Sequence, residues 1–304
     1  MSDRTDRLLG VLRGAKTRIV ITGHDAPDVD SLLSCALMQR FLSRVGIDAR
    51  IALMTQADAQ SSRIAQRLGV DVQAMYGEIK PDNSLILLDH HRAQHGGQVL
   101  ACIDHHPTDF CPDYPHTQIE SAGACTYMVL QLMRDAGVAI TPQDEALAVC
   151  ALYLDTVALR STKISPQEIA WAKAASARLH LDEAWLEREG LSLADLTLPP
   201  EELAMTGIKE YVYGKKRVYS TYTQTDAMTQ SVLERIIAHL KSALAARGGD
   251  LWVYLVHDPR AMRTTQYDIL PDGGVKETRY DFLASRAKDV MTRVEKRLME
   301  ENRG

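Results

Sequence analysis

Residues 23–31 read Gly-His-Asp-Ala-Pro-Asp-Val-Asp-Ser. One imidazole, His24, and three carboxylates, Asp25, Asp28 and Asp30, lie within a few residues of each other. Two later apolar runs close on residues of the same kind. Ser84-Leu85-Ile86-Leu87-Leu88 ends at Asp89, and Val99-Leu100-Ala101-Cys102-Ile103 ends at Asp104-His105-His106. A fourth run, Ala148 to Leu154, ends at Asp155. Taken singly, a His-x-x-x-Asp is an ordinary surface loop and an Asp at a strand end an ordinary cap. Their convergence at the ends of several apolar runs is the signal. Gathering such acids is costly unless a cation compensates. The set His24, Asp28, Asp30, Asp89, His105 and Asp155 is too large for one ion and about right for two, with one carboxylate shared. Nitrogen and carboxylate donors without thiolate favour Mn²⁺, Co²⁺ or Mg²⁺, with Zn²⁺ also open. Such a pair of ions clamps the attacking and leaving oxygens of an in-line displacement. Four carboxylates offset two dications, so an anionic phosphate substrate needs further cations.

These residues must be brought to one edge by the elements that carry them. A helix over 6–14 leads into a strand at Arg18–Thr22, and a buried helix follows the acidic loop to about Val45. A second strand is expected at Ile51–Met54 and a helix over 57–68. The continuous apolar runs 84–89 and 99–104 suit strands buried on both faces of a parallel sheet. If the strands are parallel, their ends lie together at the carboxyl edge, where open α/β sheets bind ligands. Pro107, Pro112 and Pro115 mark 107–120 as loop. Helices are expected over about 123–136, 142–154, 166–180 and 182–189. Thr141-Pro142 and Ser165-Pro166 supply an N-cap followed by proline at the first helical position. Leu198-Pro199-Pro200-Glu201 reads as a linker. Beyond it come a hairpin (Tyr211–Tyr213 and Arg217–Gln224), a helix over 229–246, strands at Leu251–His257 and Met262–Leu270, and a charged helical tail from about 282. The expected architecture is an α/β domain with a mainly parallel sheet, residues 1–192, then a smaller α+β domain, residues 193–304, with the active site in the cleft between them.

The 304 residues are 45% hydrophobic and 25% charged, with a net charge of −5. That is the composition of an ordinary soluble protein, and its sign argues against a nucleic-acid partner. No apolar run approaches the length of a membrane span, and no signal peptide is read at the N-terminus. Five cysteines, at 35, 102, 111, 125 and 150, form no Cys-x-x-Cys. Buried free thiols in a reducing compartment, the cytoplasm, are the expectation.

Gly-His-x-x-Pro-Asp-x-Asp-Ser, a strand ending in Asp, and a strand ending in Asp-His-His together resemble the DHH phosphoesterase superfamily. The closest branch is the family II manganese-dependent inorganic pyrophosphatases and related exopolyphosphatases, which carry a C-terminal DHHA2 domain. Glu120–Thr126, Asp155-Thr156-x-x-Leu159-x-Ser161 and Ser285–Val290 resemble that branch too. Asp-His-His occurs twice, at 89–91 and 104–106. The absence of an earlier acid-terminated strand between 31 and 89 gives Asp89 the lone-Asp role and makes 104–106 the name-giving triplet.

The resemblance implies that His24, Asp28 and Asp89 hold one metal ion, and that Asp30, Asp89, His105 and Asp155 hold the other. It implies that Asp104 orients the His105 ring, that His106 faces the substrate as a catalytic hydrogen-bond donor, and that Lys209 and Arg286 bind phosphate. The family pattern Ser-Arg-Lys-Lys is interrupted by Ala287, with Lys288 as a substitute cation. The implied activity is hydrolysis of pyrophosphate, the implied cofactor two Mn²⁺ ions, and the implied assembly a homodimer. Hydrolysis of short polyphosphate or of a small nucleotide diester on the same centre is the alternative that Ala287 keeps open. A non-catalytic metal- or ligand-binding regulator is the alternative of another class. A single-strand exonuclease is disfavoured by the acidic charge and by the lack of a Gly-Gly-Gly-His motif.

Overall fold

The computed structural model describes residues 3–108 and 110–301. The chain divides into two compact units, one of Met1–Leu159 and Lys163–Gly190, the other of Arg160–Thr162 and Leu191–Gly304.

In the first unit α1 (Asp3–Arg13) precedes β1 (Ile19–Thr22), α2 (Val29–Arg44), β2 (Ala49–Ile51) and α3 (Ala59–Arg67). Then follow β3 (Ser84–Leu88), β4 (Gln98–Asp104), β5 (His116–Ile119), α4 (Cys125–Asp135), α5 (Pro142–Asp155), α6 (Pro166–Arg178) and α7 (Glu183–Leu191). The strands form one parallel sheet in the order β2-β1-β3-β4-β5. The chain runs outward from β1 to β2 and then returns past β1 to β3. Strand order therefore reverses between β1 and β3, and the loops leaving those two strands diverge at a topological switch point. Those loops carry His24, Asp28 and Asp89.

All four residues of β1 and all five of β3 are buried, which explains why they read as unbroken apolar runs. Helix α2 is buried on nearly every side through Leu32, Leu33, Cys35, Leu37, Met38, Phe41 and Leu42, and packs on α4 and α5. Its first turn is therefore fixed from several directions. Truncating one such leucine to alanine removes about 2–5 kcal/mol of stability. Helices α5 and α6 begin with the expected caps, completed as capping boxes by Thr141 with Asp144 and Ser165 with Glu168.

The loop expected over 107–120 contains β5. In that strand the buried positions are His116 and Gln118, so the inward face is polar and leaves no hydrophobic alternation in the sequence. The second strand lies earlier than Ile51–Met54: its last bond to β1 is from Ala52 N to the Ile21 carbonyl, and Leu53 turns instead to an isolated bridge with Tyr76.

The second unit holds α8 (Pro200–Ala204), β6 (Lys209–Tyr213), β7 (Lys216–Gln224), α9 (Gln230–Arg247), β8 (Leu251–Asp258), β9 (Arg263–Ile269), β10 (Val275–Tyr280) and α10 (Thr292–Glu301), the last preceded by a π-helical turn at Arg286–Met291. Its sheet runs β10-β9-β8-β7-β6 and is mixed, with only β7 and β8 parallel. Trp252 and Tyr254 fill the core beneath α9, with Leu203, Ile236, Leu240 and Leu244. Two elements differ from expectation. The supposed linker at 198–201 runs into α8, which proline starts at its first helical position. Strand β10 is an exposed edge of Val-Lys-Glu-Thr-Arg-Tyr, whose polar composition hides it.

Candidate metal centre

The Gly23–Asp28 loop connects β1 to α2. Asp28 is the N-cap of α2, its Oδ1 accepting from Ser31 N at 3.1 Å, so its second oxygen stays clear of the helix. His24 sits one turn of loop earlier, with Nδ1 2.8 Å from the Asp25 carbonyl. That contact makes Nδ1 the donor and aims Nε2 at carboxylates: 3.4 Å to Asp89 Oδ2 and 3.8 Å to Asp28 Oδ2.

Asp89 follows β3 with φ 65°, a left-handed conformation that Asp tolerates better than most residues. Its Oδ2 accepts from Ser31 Oγ at 2.8 Å. Its Oδ1 lies 3.2 Å from His105 Nε2, is fully buried, and has no hydrogen-bond donor. The carboxylate thus faces His24 with one oxygen and His105 with the other.

His105 is anchored as His24 is, through Nδ1 on a backbone carbonyl, that of Ala122 at 3.0 Å. Its Nε2 also lies 3.7 Å from Asp30 Oδ2 and 3.6 Å from Asp155 Oδ2. Asp30 is held by three donors: Cys125 N to Oδ2 at 2.6 Å, and Thr126 N and Oγ1 to Oδ1 at 2.9 and 2.6 Å. The two N–H groups are the first backbone donors of α4, whose own N-cap residue, Ala124, has no side-chain acceptor to offer. Asp30 therefore caps α4 from another element while facing the cluster.

Asp155 ends α5, and after Thr156 come three residues with positive φ, Val157, Ala158 and Leu159. Positive φ is strained for any of them and most for β-branched Val157. Ala158 N closes the turn on Tyr153 O at 2.7 Å. Gly190 backs against it, where a Cβ would lie 2.5 Å from Tyr153 O and 3.0 Å from Ala158 N.

Three groups of donor atoms close enough to share an ion result: His24–Asp28–Asp89, Asp30–His105–Asp155 and Asp89–His105–His106. The electrostatics match the crowding. Burial pulls the His24 imidazole down, but its contacts with Asp28 and Asp89 reverse this and hold it at about 11. His105 behaves alike, burial being overcome by Asp89, Asp155 and Asp30 to give about 10. Burial, reinforced by Asp89, pushes Asp30 up to about 7. For Asp89 burial acts upward as well, yet the two imidazoles hold it well below the usual carboxylate range. The cluster thus needs positive charge at its centre, and the donorless Asp89 Oδ1 marks where a cation fits better than a hydrogen bond.

Asp104 differs from expectation. It contacts His106, not His105: Oδ1 accepts from His106 Nδ1 at 2.9 Å and from His106 N at 3.1 Å. Asp104 and His105 are adjacent at the end of a strand, where side chains alternate, so Asp104 shares a side with the residue two further on. Its Oδ2 accepts from His91 Nδ1 at 2.5 Å. His91 belongs to this network. So does Lys163, whose Nζ lies 3.1 Å from Asp155 Oδ2. His91 closes the earlier Asp-His-His triplet, 89–91, whereas Lys163 sits in no such pattern.

Lys209, Arg286 and Lys288 belong to the second unit. Lys209 is the exposed first residue of β6. Arg286 and Lys288 lie in the π-helical turn, Lys288 exposed and Arg286 half-buried. The Arg286 guanidinium lies 5.3 Å from the centre of the Tyr222 ring and donates to the Gly207 carbonyl, two residues before Lys209.

Residues 18–159 match the family described as "DHH family, N-terminal domain". A "probable manganese-dependent inorganic pyrophosphatase" of Bacillus licheniformis is 25% identical over 258 residues, which cover 80% of this chain and 82% of that protein. A relative of the same description from Brevibacillus brevis is 26% identical over 259 residues, covering 79% of this chain and 81% of that protein. Among solved structures, a "putative family II inorganic pyrophosphatase" of Methanococcus jannaschii superposes with a TM-score of 0.72 at 20% identity, covering 91% of this chain and 98% of that one. That likeness establishes the fold.

Proposed function

We propose, from the match of residues 18–159 to the DHH family N-terminal domain, that the chain is a manganese-dependent inorganic pyrophosphatase of that family, hydrolysing a phosphoanhydride bond. The observation that carries this reading is the buried Asp89 carboxylate placed between His24 Nε2 and His105 Nε2, with one oxygen lacking any donor. His24, Asp28 and Asp89 would hold one divalent ion, and Asp30, Asp89, His105 and Asp155 the other, Asp89 being shared. The relatives' names support Mn²⁺ as the ion, and so does the nitrogen and carboxylate donor set. When bound, the two ions would supply charge stabilisation to the attacking and leaving oxygens.

The protein's own groups do the rest. Serine 31 and the Ala122 carbonyl fix Asp89 and His105 before any ligand arrives. His106, half exposed and held through Nδ1 by Asp104, keeps Nε2 for a substrate oxygen. Lys209, Arg286 and Lys288 are the cations we assign to the substrate phosphates. Ala287 between Arg286 and Lys288 departs from the family's paired lysines. It favours a second reading, cleavage of short polyphosphate on the same centre. The described cysteines are all free thiols, four of them buried, which supports a reducing, cytoplasmic setting. Among the described residues no helix is long and apolar enough to cross a membrane.

The test is phosphate release from pyrophosphate and from tripolyphosphate, side by side, with Mn²⁺ and after chelation. Mn²⁺-dependent cleavage of pyrophosphate supports the proposal. Cleavage of tripolyphosphate alone replaces it with the second reading, and turnover of neither removes both.

A further inference from the structure

Lys163 is unused by the chemistry above, yet it touches the centre. Its Nζ lies 3.1 Å from Asp155 Oδ2 and 3.3 Å from Oδ1. Oδ2 is also the oxygen that faces His105 Nε2 at 3.6 Å. The same atom thus serves an ammonium on one side and the candidate ion position on the other. The other ligands on this side cannot move to compensate. Asp30 is fixed by three donors of α4 and His105 by the Ala122 carbonyl. Asp155 is the adjustable member, its side chain 20% exposed and Lys163 its cationic partner.

We propose that Lys163 is a resident competitor for the ion assigned to Asp30, Asp89, His105 and Asp155, and that it sets how much Mn²⁺ is needed to fill that position. An ammonium and a dication drawn to one carboxylate oxygen repel each other, so the ion binds only as Lys163 gives up Oδ2. The position then fills at a higher free Mn²⁺ concentration than its four protein ligands would otherwise require. The enzyme's output would follow the supply of the metal. This inference rests on the two-ion reading of the centre. It concerns Lys163 itself, which that reading does not use.

The experiment is Mn²⁺ binding to the chelator-stripped protein, followed by the electron paramagnetic resonance signal of the free ion, with no substrate and no turnover involved. Lys163→Met should tighten one of the two binding constants by about tenfold or more, equivalent to about 1.4 kcal/mol. Lys163→Arg, which keeps the charge, should stay near the wild type. In an Asp155→Asn background the Lys163→Met effect should vanish, because the shared oxygen is no longer a carboxylate's. Lys163→Gln provides the same neutralisation should the methionine variant fold poorly. If the wild type binds two ions and neither neutral variant binds more tightly, the competitor role is overturned and the two-ion centre stands. If the wild type binds no Mn²⁺, the centre itself is wrong and the inference falls with it.

Discussion

The Asp104 carboxylate is clasped by His91 on one side, at 2.5 Å, and by His106 on the other, at 2.9 Å. His91 is therefore the far end of a chain His91–Asp104–His106 that fixes the ring we assign to the substrate. His91→Ala should lower kcat by about 10–100-fold, the usual cost of losing such an outer partner. Mn²⁺ binding should be unchanged, since His91 contacts neither the His24 nor the Asp155 group. His91→Gln, which keeps a donor, should recover part of the loss. Steady-state kinetics with metal titration on the same preparations decides it. A His91→Ala enzyme with full kcat would detach His91 from the chemistry.

Asp28 does two jobs, and they can be separated. It caps α2 through Oδ1 and faces His24 with Oδ2. Asp28→Ala loses both, so it should abolish turnover and cost about 1 kcal/mol of stability. Serine caps about as well as aspartate. Asp28→Ser should therefore keep wild-type stability in urea denaturation and still lose turnover and one Mn²⁺ equivalent. An active Asp28→Ser protein would remove Asp28 from the metal set.

The raised imidazoles give a signed pH dependence. His24 and His105 are held at about 11 and about 10, against 6.5 for an ordinary imidazole. A group raised by folding stabilises the folded chain fully below its unfolded value and loses that contribution as pH climbs through the folded one. The metal-stripped protein should thus lose stability steadily from pH 6.5 toward 11. Metal binding at neutral pH must expel these protons, because a ligating imidazole is neutral. Calorimetry in buffers of different ionisation heat should record about one proton released per histidine ligand. Binding without proton release would contradict the assigned ligands.

Gly190 holds up the strained turn behind Asp155. A Cβ there would meet backbone atoms, Tyr153 O at 2.5 Å and Ala158 N at 3.0 Å, and backbone cannot swing aside. Gly190→Ala should cost about 1–3 kcal/mol, the range for overpacking a tight site. It should also weaken the same Mn²⁺ constant that Asp155→Asn weakens, because the displaced turn carries the Asp155 carboxylate. Thermal denaturation and metal titration of the variant measure both. Unchanged values would mean that the 153–158 turn relaxes freely.

Much of this centre was legible in the residues alone. Strands β1, β3 and β4 are buried on both faces, so their sequences are unbroken apolar runs whose ends are plain to see. In a parallel sheet all those ends share one edge, which is why His24, Asp28, Asp30, Asp89 and His105 could be gathered as candidates before any coordinates, while Asp155 was marked by the apolar run that closes helix α5. The edge strands β5 and β10 escaped because burial or exposure there does not follow hydrophobicity. What only the tertiary structure decided is how each donor is held. Asp104 turns to His106 and His91 rather than His105, Asp30 caps a helix ninety-five residues away in sequence, and Lys163 shares an oxygen with the centre. Sequence pattern records periodic burial along an element. Hydrogen bonds between the ends of different elements have no period, so their partners exist only once the chain has folded.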